Sequence, residues 1–336
     1  MIRKTFLLFA FLAVVTIAFA QAPSYYYTSV EGLTGEPLKI ALHNIIKGHF
    51  TISYGEIWNA FWSTDNKGNG VVWDMYSDRP GGTPPYTFEL GMDQCGNYSG
   101  EGDCYNREHS WPQSWFNEQS TPRTDLHHIF ATDGHVNWKR SSYPYGEVRS
   151  ASWTSLNGSK LGSCMTPGYT GTVFEPIDAY KGDFARAYFY MSVRYYGEDT
   201  GWKTSDMTDK SVIKPWAMAM LLRWNDLDPV SQKEIDRNNA IYNDYQRNRN
   251  PFVDHPEFAR MIWDPNWSVD EYNTSAELQP DQIIVYDLCG RKLLQTNIIN
   301  EEEEIASLKN KLQHGCYFLQ ILSGNRVLTN KKLLVN

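Results

Sequence analysis

Cys104-Tyr-Asn-Arg-Glu-His-Ser-Trp-Pro-Gln-Ser114 and, after a short gap, Asp125-Leu-His-His-Ile-Phe-Ala-Thr-Asp-Gly-His-Val-Asn-Trp-Lys-Arg-Ser-Ser-Tyr-Pro-Tyr-Gly-Glu-Val148 hold a cluster of polar and ionisable residues in the middle of the chain. Four of the eight histidines fall here, His109, His127, His128 and His135. The pattern predicts strand, loop, strand, then helix. Neighbours on a regular strand point to opposite faces, so Glu108 and His109 share a site only at a strand end, twist or bulge. Pro112, three residues on, fits an early end to pairing. Asn137 falls in the first turns of a short helix that Thr132 or Asp133 caps and that stops before Pro144. That helix brings Asn137 back toward His109.

Phosphodiester hydrolysis needs a water deprotonated, the extra charge on phosphorus stabilised and the departing oxygen neutralised. A histidine with a pKa of about 6.5 serves as the base. A hard cation meets the other two needs, and Mg²⁺ often takes only one or two protein oxygens plus substrate phosphates. His109 as base, with Glu108 and Asn137 as metal ligands, is the minimal set. The rival chemistry is a zinc hydrolase on His127, His128 and His135, a loose ligand set without an HExxH motif. A non-catalytic surface protein binding nucleic acid or glycan is the rival from another class, and it has no need of a base beside a metal site.

The flanks bound this reading. Residues 1–20 combine Arg3 and Lys4, an apolar run over 6–15 and Ala18-Phe19-Ala20, the pattern of a cleaved export signal, so a secreted or cell-surface location is expected. No later stretch reaches the roughly 20 apolar residues of a spanning helix. The five cysteines then suggest disulfides. Cys95 and Cys104 close a short loop, Cys289 and Cys316 form a second candidate pair, and Cys164 is left over. A net charge of −8 opposes a broad nucleic-acid coat but not a local grip on a few phosphates.

Apolar spacing predicts helices at 39–46, 54–62, 184–196, 215–224 and 237–246, the last stopped by Asn250-Pro251, and a strand at 71–76. Composition shifts near residue 270. Residues 273–280 read as a linker, followed by strands at 283–287, 316–322 and 326–330 with turns at Gly290, Gly315 and Gly324. Glu301 to Glu304 reads as a solvated loop. The expected domains are a signal peptide (1–20), a nuclease domain (21–270) and a linker with a small all-β module (271–336).

Arg107-Glu-His-Ser-Trp-Pro-Gln-Ser114, Asp125-Leu-His-His128, Val136-Asn137 with Arg140-Ser141, Phe174-Glu-Pro-Ile-Asp-Ala-Tyr-Lys-Gly-Asp183 and Asn248-Arg-Asn-Pro-Phe-Val-Asp-His-Pro-Glu257 together resemble the endonuclease I family of His-Me finger (ββα-metal) nucleases. The resemblance implies an α+β fold around that core with surrounding helices, and His109 as general base with Glu108 and Asn137 on Mg²⁺, for which Mn²⁺ or Ca²⁺ substitutes. It also implies DNA and RNA as substrates and 5′-phosphate product ends. Relatives place a phosphate-contacting arginine between the His and the Asn, and the shorter connection here leaves Arg123 and Arg140 as open candidates. Ile283-Ile-Val-Tyr-Asp-Leu-Cys-Gly-Arg-Lys292, Leu312-Gln-His-Gly-Cys-Tyr-Phe318 and Lys331-Lys-Leu-Leu-Val335 resemble the sorting domain of type IX secretion, whose machinery is then the expected partner of a monomer.

Plainer roles are expected for the other polar residues. His127 reads as structural, and His128 and His135 as surface or support residues. Asp178, Lys181, Asp183 and Arg186 are expected to cap a helix and pair with one another. Asp254 and His255 fix a turn between prolines, and Trp111 and Trp115 belong to the core.

Overall fold

Leu38, Leu42 and Ile46 recur every fourth residue and give α1 (Gly35–Ile46) one buried face, and α2 (Ile57–Thr64) buries Ile57, Ala60, Phe61 and Thr64. The computed structural model describes residues 22–23, 25–265, 267, 282–286, 292–297, 301–323 and 326–335. Two compact units divide the chain at Pro265/Asn266. The export signal, the linker, Cys289 and the turns at Gly290 and Gly324 lie outside the described residues.

In the first unit, a hairpin of β1 (Asn66–Gly68) and β2 (Val71–Val72) follows α2. The strand expected over 71–76 stops at Val72. Asp74 Oδ1 accepts from the Tyr76 amide at 2.8 Å, a side-chain-closed turn that competes with the ladder. β3 (Tyr105–His109) then pairs antiparallel with β4 (Ile129–Asp133) in unbroken register, from Tyr105↔Asp133 to His109↔Ile129. Between them runs α3 (Ser120–Arg123), and after β4 comes α4 (Gly134–Arg140). An antiparallel sheet follows, ordered β5 (Val148–Thr154), β6 (Lys160–Cys164), β7 (Thr172–Glu175).

The core is organised around α5 (Lys181–Arg194), in which every residue but Lys181 is buried. A helix buried all round must satisfy its charges internally. Arg186 pairs with Glu234 at 2.5 Å, and Asp183 accepts from Lys233 at 2.8 Å. The pairing expected at the start of this segment is present, with Lys181 2.7 Å from Asp178. After the β8 (Thr208–Asp209) and β9 (Val212–Ile213) hairpin, α6 (Pro215–Leu227) packs on α5. Next, α7 (Gln232–Ala240) opens on a Ser231/Glu234 capping box and runs into a π-helical turn, Ile241–Gln246. That turn ends at Arg247, which takes φ 61°, four residues before the proline expected to stop it. Asn250-Pro251 instead starts α8 (Pro251–Asp254), with the Asn250 side chain capping Phe252 N; α9 (Phe258–Trp263) follows. Trp111 and Trp115 are core residues, as expected.

The second unit is one antiparallel sheet in the order β11 (Lys292–Asn297), β10 (Gln282–Tyr286), β12 (Gly315–Ser323), β13 (Arg326–Val335). Ile283, Val285, Leu319, Ile321, Leu333 and Val335 line its core with Leu308. Leu308 belongs to α10 (Glu301–Lys311), a helix where the acid run predicted a loop. Lys309 and Lys311 in its last turn suit the helix dipole, which a reading from charge alone overlooks. Cys95 and Cys104 are disulfide-bonded, and Cys164 is buried and free. Among the described residues, no helix is long and apolar enough to cross a membrane.

Candidate active site

β4 covers only one edge of β3, so the backbone groups on the other edge need partners. Near its start the segment closed by the disulfide supplies them: Tyr105 N donates to Asp93 O at 3.0 Å and Cys95 N to Tyr105 O at 3.2 Å. Farther along, side chains of α4 take over. Asn137 Nδ2 donates to Arg107 O at 3.2 Å, and Arg140 donates to His109 O at 3.0 Å and to Ser110 O. α4 starts where expected, with Asp133 Oδ1 accepting from Val136 N at 2.8 Å. Gly134 is required there, since a Cβ would lie 2.7 Å from the Tyr98 ring.

Glu108 is 1 % exposed. Its Oε1 accepts from Tyr76 at 2.9 Å and Tyr145 at 3.3 Å and lies 3.2 Å from Arg140 Nη1. Among the described residues no hydrogen bond reaches Oε2. Burial pushes the carboxyl pKa up, and Arg140 and the two phenols offset this only in part. Asn137 is similar: its NH₂ is committed to Arg107 O, while among the described residues its Oδ1 takes no hydrogen bond. Two oxygen donors at the seam of β3 and α4 are thus left uncommitted.

His109 ends β3 without a bulge, and its ring meets a different set of neighbours from Glu108, as alternation requires. Nε2 lies 3.0 Å from Arg123 O. A carbonyl only accepts, so Nε2 carries the proton and Nδ1 presents a lone pair. Nδ1 is buried and, among the described residues, has no hydrogen-bond partner. Burial, then the neighbouring His128, push the imidazole pKa down to about 3, so the ring is neutral at pH 7. No hydrogen bond joins this ring to Glu108 or Asn137. The structure brings Glu108 and Asn137 to one seam and sets His109 at the adjoining strand end.

Around the His109 ring lies a cluster that the sequence reading missed in part. Tyr54 stacks on His109 with centroids 6.1 Å apart. Over the same tyrosine stand Arg107, 3.7 Å from the ring centre, and Arg123, at 4.2 Å. Arg107 Nη1 donates to Tyr54 O at 2.9 Å and Arg123 Nε to Gln113 Oε1 at 2.8 Å. Among the described residues neither guanidinium lies within 4.0 Å of a carboxylate. Burial, and beyond it the Arg123 charge, lower the Arg107 pKa. Tyr54 and Arg123 border an open cavity of about 270 Å³, with Thr51, Ser120 and Thr121. Arg107 was findable, because it sits two residues before His109 on one strand and shares its face. Arg140 is the other open candidate for a phosphate contact, and the structure removes it: it is buried against Glu108 and the β3 carbonyls.

His127 and His128 support the fold. His127 Nε2 meets Asn248 O at 3.2 Å and His128 Nε2 meets Pro122 O at 2.7 Å. Both are buried, so His128 is a support residue and not a surface one. His135, half-buried, packs among Tyr98, Trp138 and Trp153. The three rings engage separate partners, and among the described residues no group of three or more His, Cys, Asp or Glu is placed to hold a metal ion. That removes the geometric basis of the zinc reading. Asp125 is the structural hub of its motif. It accepts from Tyr190 at 2.9 Å, Tyr195 at 3.0 Å, Gln246 at 3.0 Å and His127 N at 3.2 Å. Burial alone raises its pKa, but His49, His127, His128 and Gln246 outweigh that and hold the carboxyl well below the usual carboxylate range.

Residues 34–257 match the family described as Endonuclease I, and residues 265–336 match the secretion system C-terminal sorting domain. The chain is 38% identical over 248 residues to an extracellular ribonuclease of Bacillus subtilis (strain 168), covering 71% of this chain and 78% of that protein. A second extracellular ribonuclease, from Bacillus amyloliquefaciens, is 39% identical over the same shares. Endonuclease-1 of Buchnera aphidicola subsp. Baizongia pistaciae (strain Bp) is 33% identical over 131 residues, 39% of this chain and 46% of that protein. The chain belongs to the endonuclease I family of nucleases and ends in a secretion-system sorting domain.

Proposed function

We propose that the mature protein is a secreted, Mg²⁺-dependent endonuclease that hydrolyses phosphodiester bonds of DNA and RNA with little sequence preference, on a His-Me finger formed by β3, β4 and α4. The observation that carries this reading is the His109 ring: neutral, fixed by Nε2–H on Arg123 O, with Nδ1 buried and unpartnered. A non-catalytic binder has no use for such a base. In the reaction His109 Nδ1 takes the proton of the attacking water, and the Arg123 carbonyl fixes the tautomer and aim of the ring. Arg107 and Arg123 hold the substrate phosphate, which explains two guanidiniums over one ring with no carboxylate partner.

Glu108 Oε2 and Asn137 Oδ1 fit a hard cation, since both are oxygens left without hydrogen bonds. A buried carboxylate with a raised pKa also gains from a second positive charge beside it. When bound there, Mg²⁺ supplies charge stabilisation for the phosphoryl oxygens and the leaving 3′ oxygen. Products carry 5′-phosphate ends. The B. subtilis and B. amyloliquefaciens proteins, named as ribonucleases, favour RNA as a substrate beside DNA. The sorting domain directs the chain to the type IX machinery, for release or surface attachment.

The test is plasmid and RNA cleavage by the purified protein, wild type beside His109→Ala, with Mg²⁺ and with excess EDTA. Cleavage that needs both histidine and metal is expected, with 5′-phosphate ends shown by end-labelling. Full activity in EDTA would overturn the metal assignment, and full activity of folded His109→Ala would overturn the base.

A further inference from the structure

The outer face of α4 differs from the face that covers β3. Trp138, directly after Asn137, is 56 % exposed. Its ring lies beside His135 with centroids 5.4 Å apart, and His135 in turn stands 6.4 Å from Trp153 of β5. Lys139 Nζ is 4.8 Å from the Trp138 ring centre and 5.8 Å from that of Trp153. Among the described residues no carboxylate lies within 4.0 Å of Lys139. A single exposed apolar residue is ordinary on a protein surface. A row of three aromatic rings with an unpaired cation, on the helix that carries the candidate metal ligand, has a more specific fit.

We propose that His135, Trp138, Lys139 and Trp153 form a stacking platform for unpaired bases of the substrate strand next to the scissile phosphate. This rests on the reading that Asn137 borders the reacting phosphate, because Trp138 is its chain neighbour on one short helix. Every base has a π face, so stacking holds a strand without selecting its sequence, and the Lys139 ammonium suits the polyanionic backbone. In a chain of net charge −8, attraction must come from such local features. Bases within a duplex have their faces occupied by neighbours. The platform therefore favours single-stranded substrates.

The test uses the full mature chain carrying His109→Ala to prevent turnover, in Mg²⁺, with binding followed by fluorescence anisotropy. The probes are a short fluorescein-labelled single-stranded DNA, the same strand with abasic sites at its central positions, and its duplex. Adding Trp138→Ala is expected to weaken binding of the intact single strand about tenfold, to change duplex and abasic binding little, and Trp138→Phe is expected to restore most of the loss. Equal binding of the intact strand with and without the tryptophan overturns the proposal. So does an equal loss for intact and abasic strands, with circular dichroism confirming the fold. Failure of the nuclease reading shows elsewhere, as intact plasmid in the presence of the His109-containing protein.

Discussion

Arg140 and Arg123 both lie close to His109, yet removing each has a different consequence. Arg140→Met leaves Glu108 buried without its counter-charge and takes the side-chain donor from the His109 carbonyl. A loss of about 3–5 kcal/mol is expected, read as a lower urea midpoint. Arg123 is half-buried with a single side-chain hydrogen bond. Arg123→Ala should change stability by less than about 1 kcal/mol while raising KM for nucleic acid, and an unchanged KM would remove it from the phosphate site. Asp125 makes a pH prediction. Its folded pKa lies below the unfolded value of about 3.9, so its stabilisation is complete above that value and is lost as pH falls toward the folded one. Asp125→Asn should therefore melt well below wild type at neutral pH, and the gap should narrow below about pH 4.

The strand–strand–helix element depends on what pins its ends. Breaking the Cys95–Cys104 bond with Cys95→Ser/Cys104→Ser is expected to cost about 2–3 kcal/mol from the short loop it closes, measured by urea unfolding. Asp133→Ala removes the α4 cap and also the acceptor for Gly102 N, 2.8 Å from Oδ2, so the upper part of the usual 0.5–2 kcal/mol range is expected. Much of this element was legible because its signals are local: an Asp before a helix, a proline after it, and a Glu-His pair at a strand end. The Tyr54 cluster was not, because residues 54, 107 and 123 meet only once the turn before α2, β3 and α3 have packed. Nor was the sheet of β5 to β7, since β5 exposes most of its residues and lacks an apolar alternation. The Asp125 hub draws its donors from residues 190, 195 and 246, a convergence that sequence spacing does not encode.

For the whole molecule, the family match ends at residue 257, ahead of the second unit at Asn266. Protein truncated after Pro265 should cleave plasmid at the full-length rate, and a large loss would show that the sorting domain contributes to turnover. The covering of β3 also bears on how the molecule opens. A two-stranded ribbon is marginal by itself and would ordinarily trade its amide hydrogens for deuterium through small local fluctuations. Here β4 lies on one side, and the 93–95 segment and α4 side chains on the other. β3 is therefore enclosed like a central strand, and its amides should exchange only when most of the fold has come apart. In Cys95→Ser the amide of Tyr105, held by Asp93 O, should be the first to speed up. The strand that ends in His109 would then be among the last parts of the protein to let solvent in.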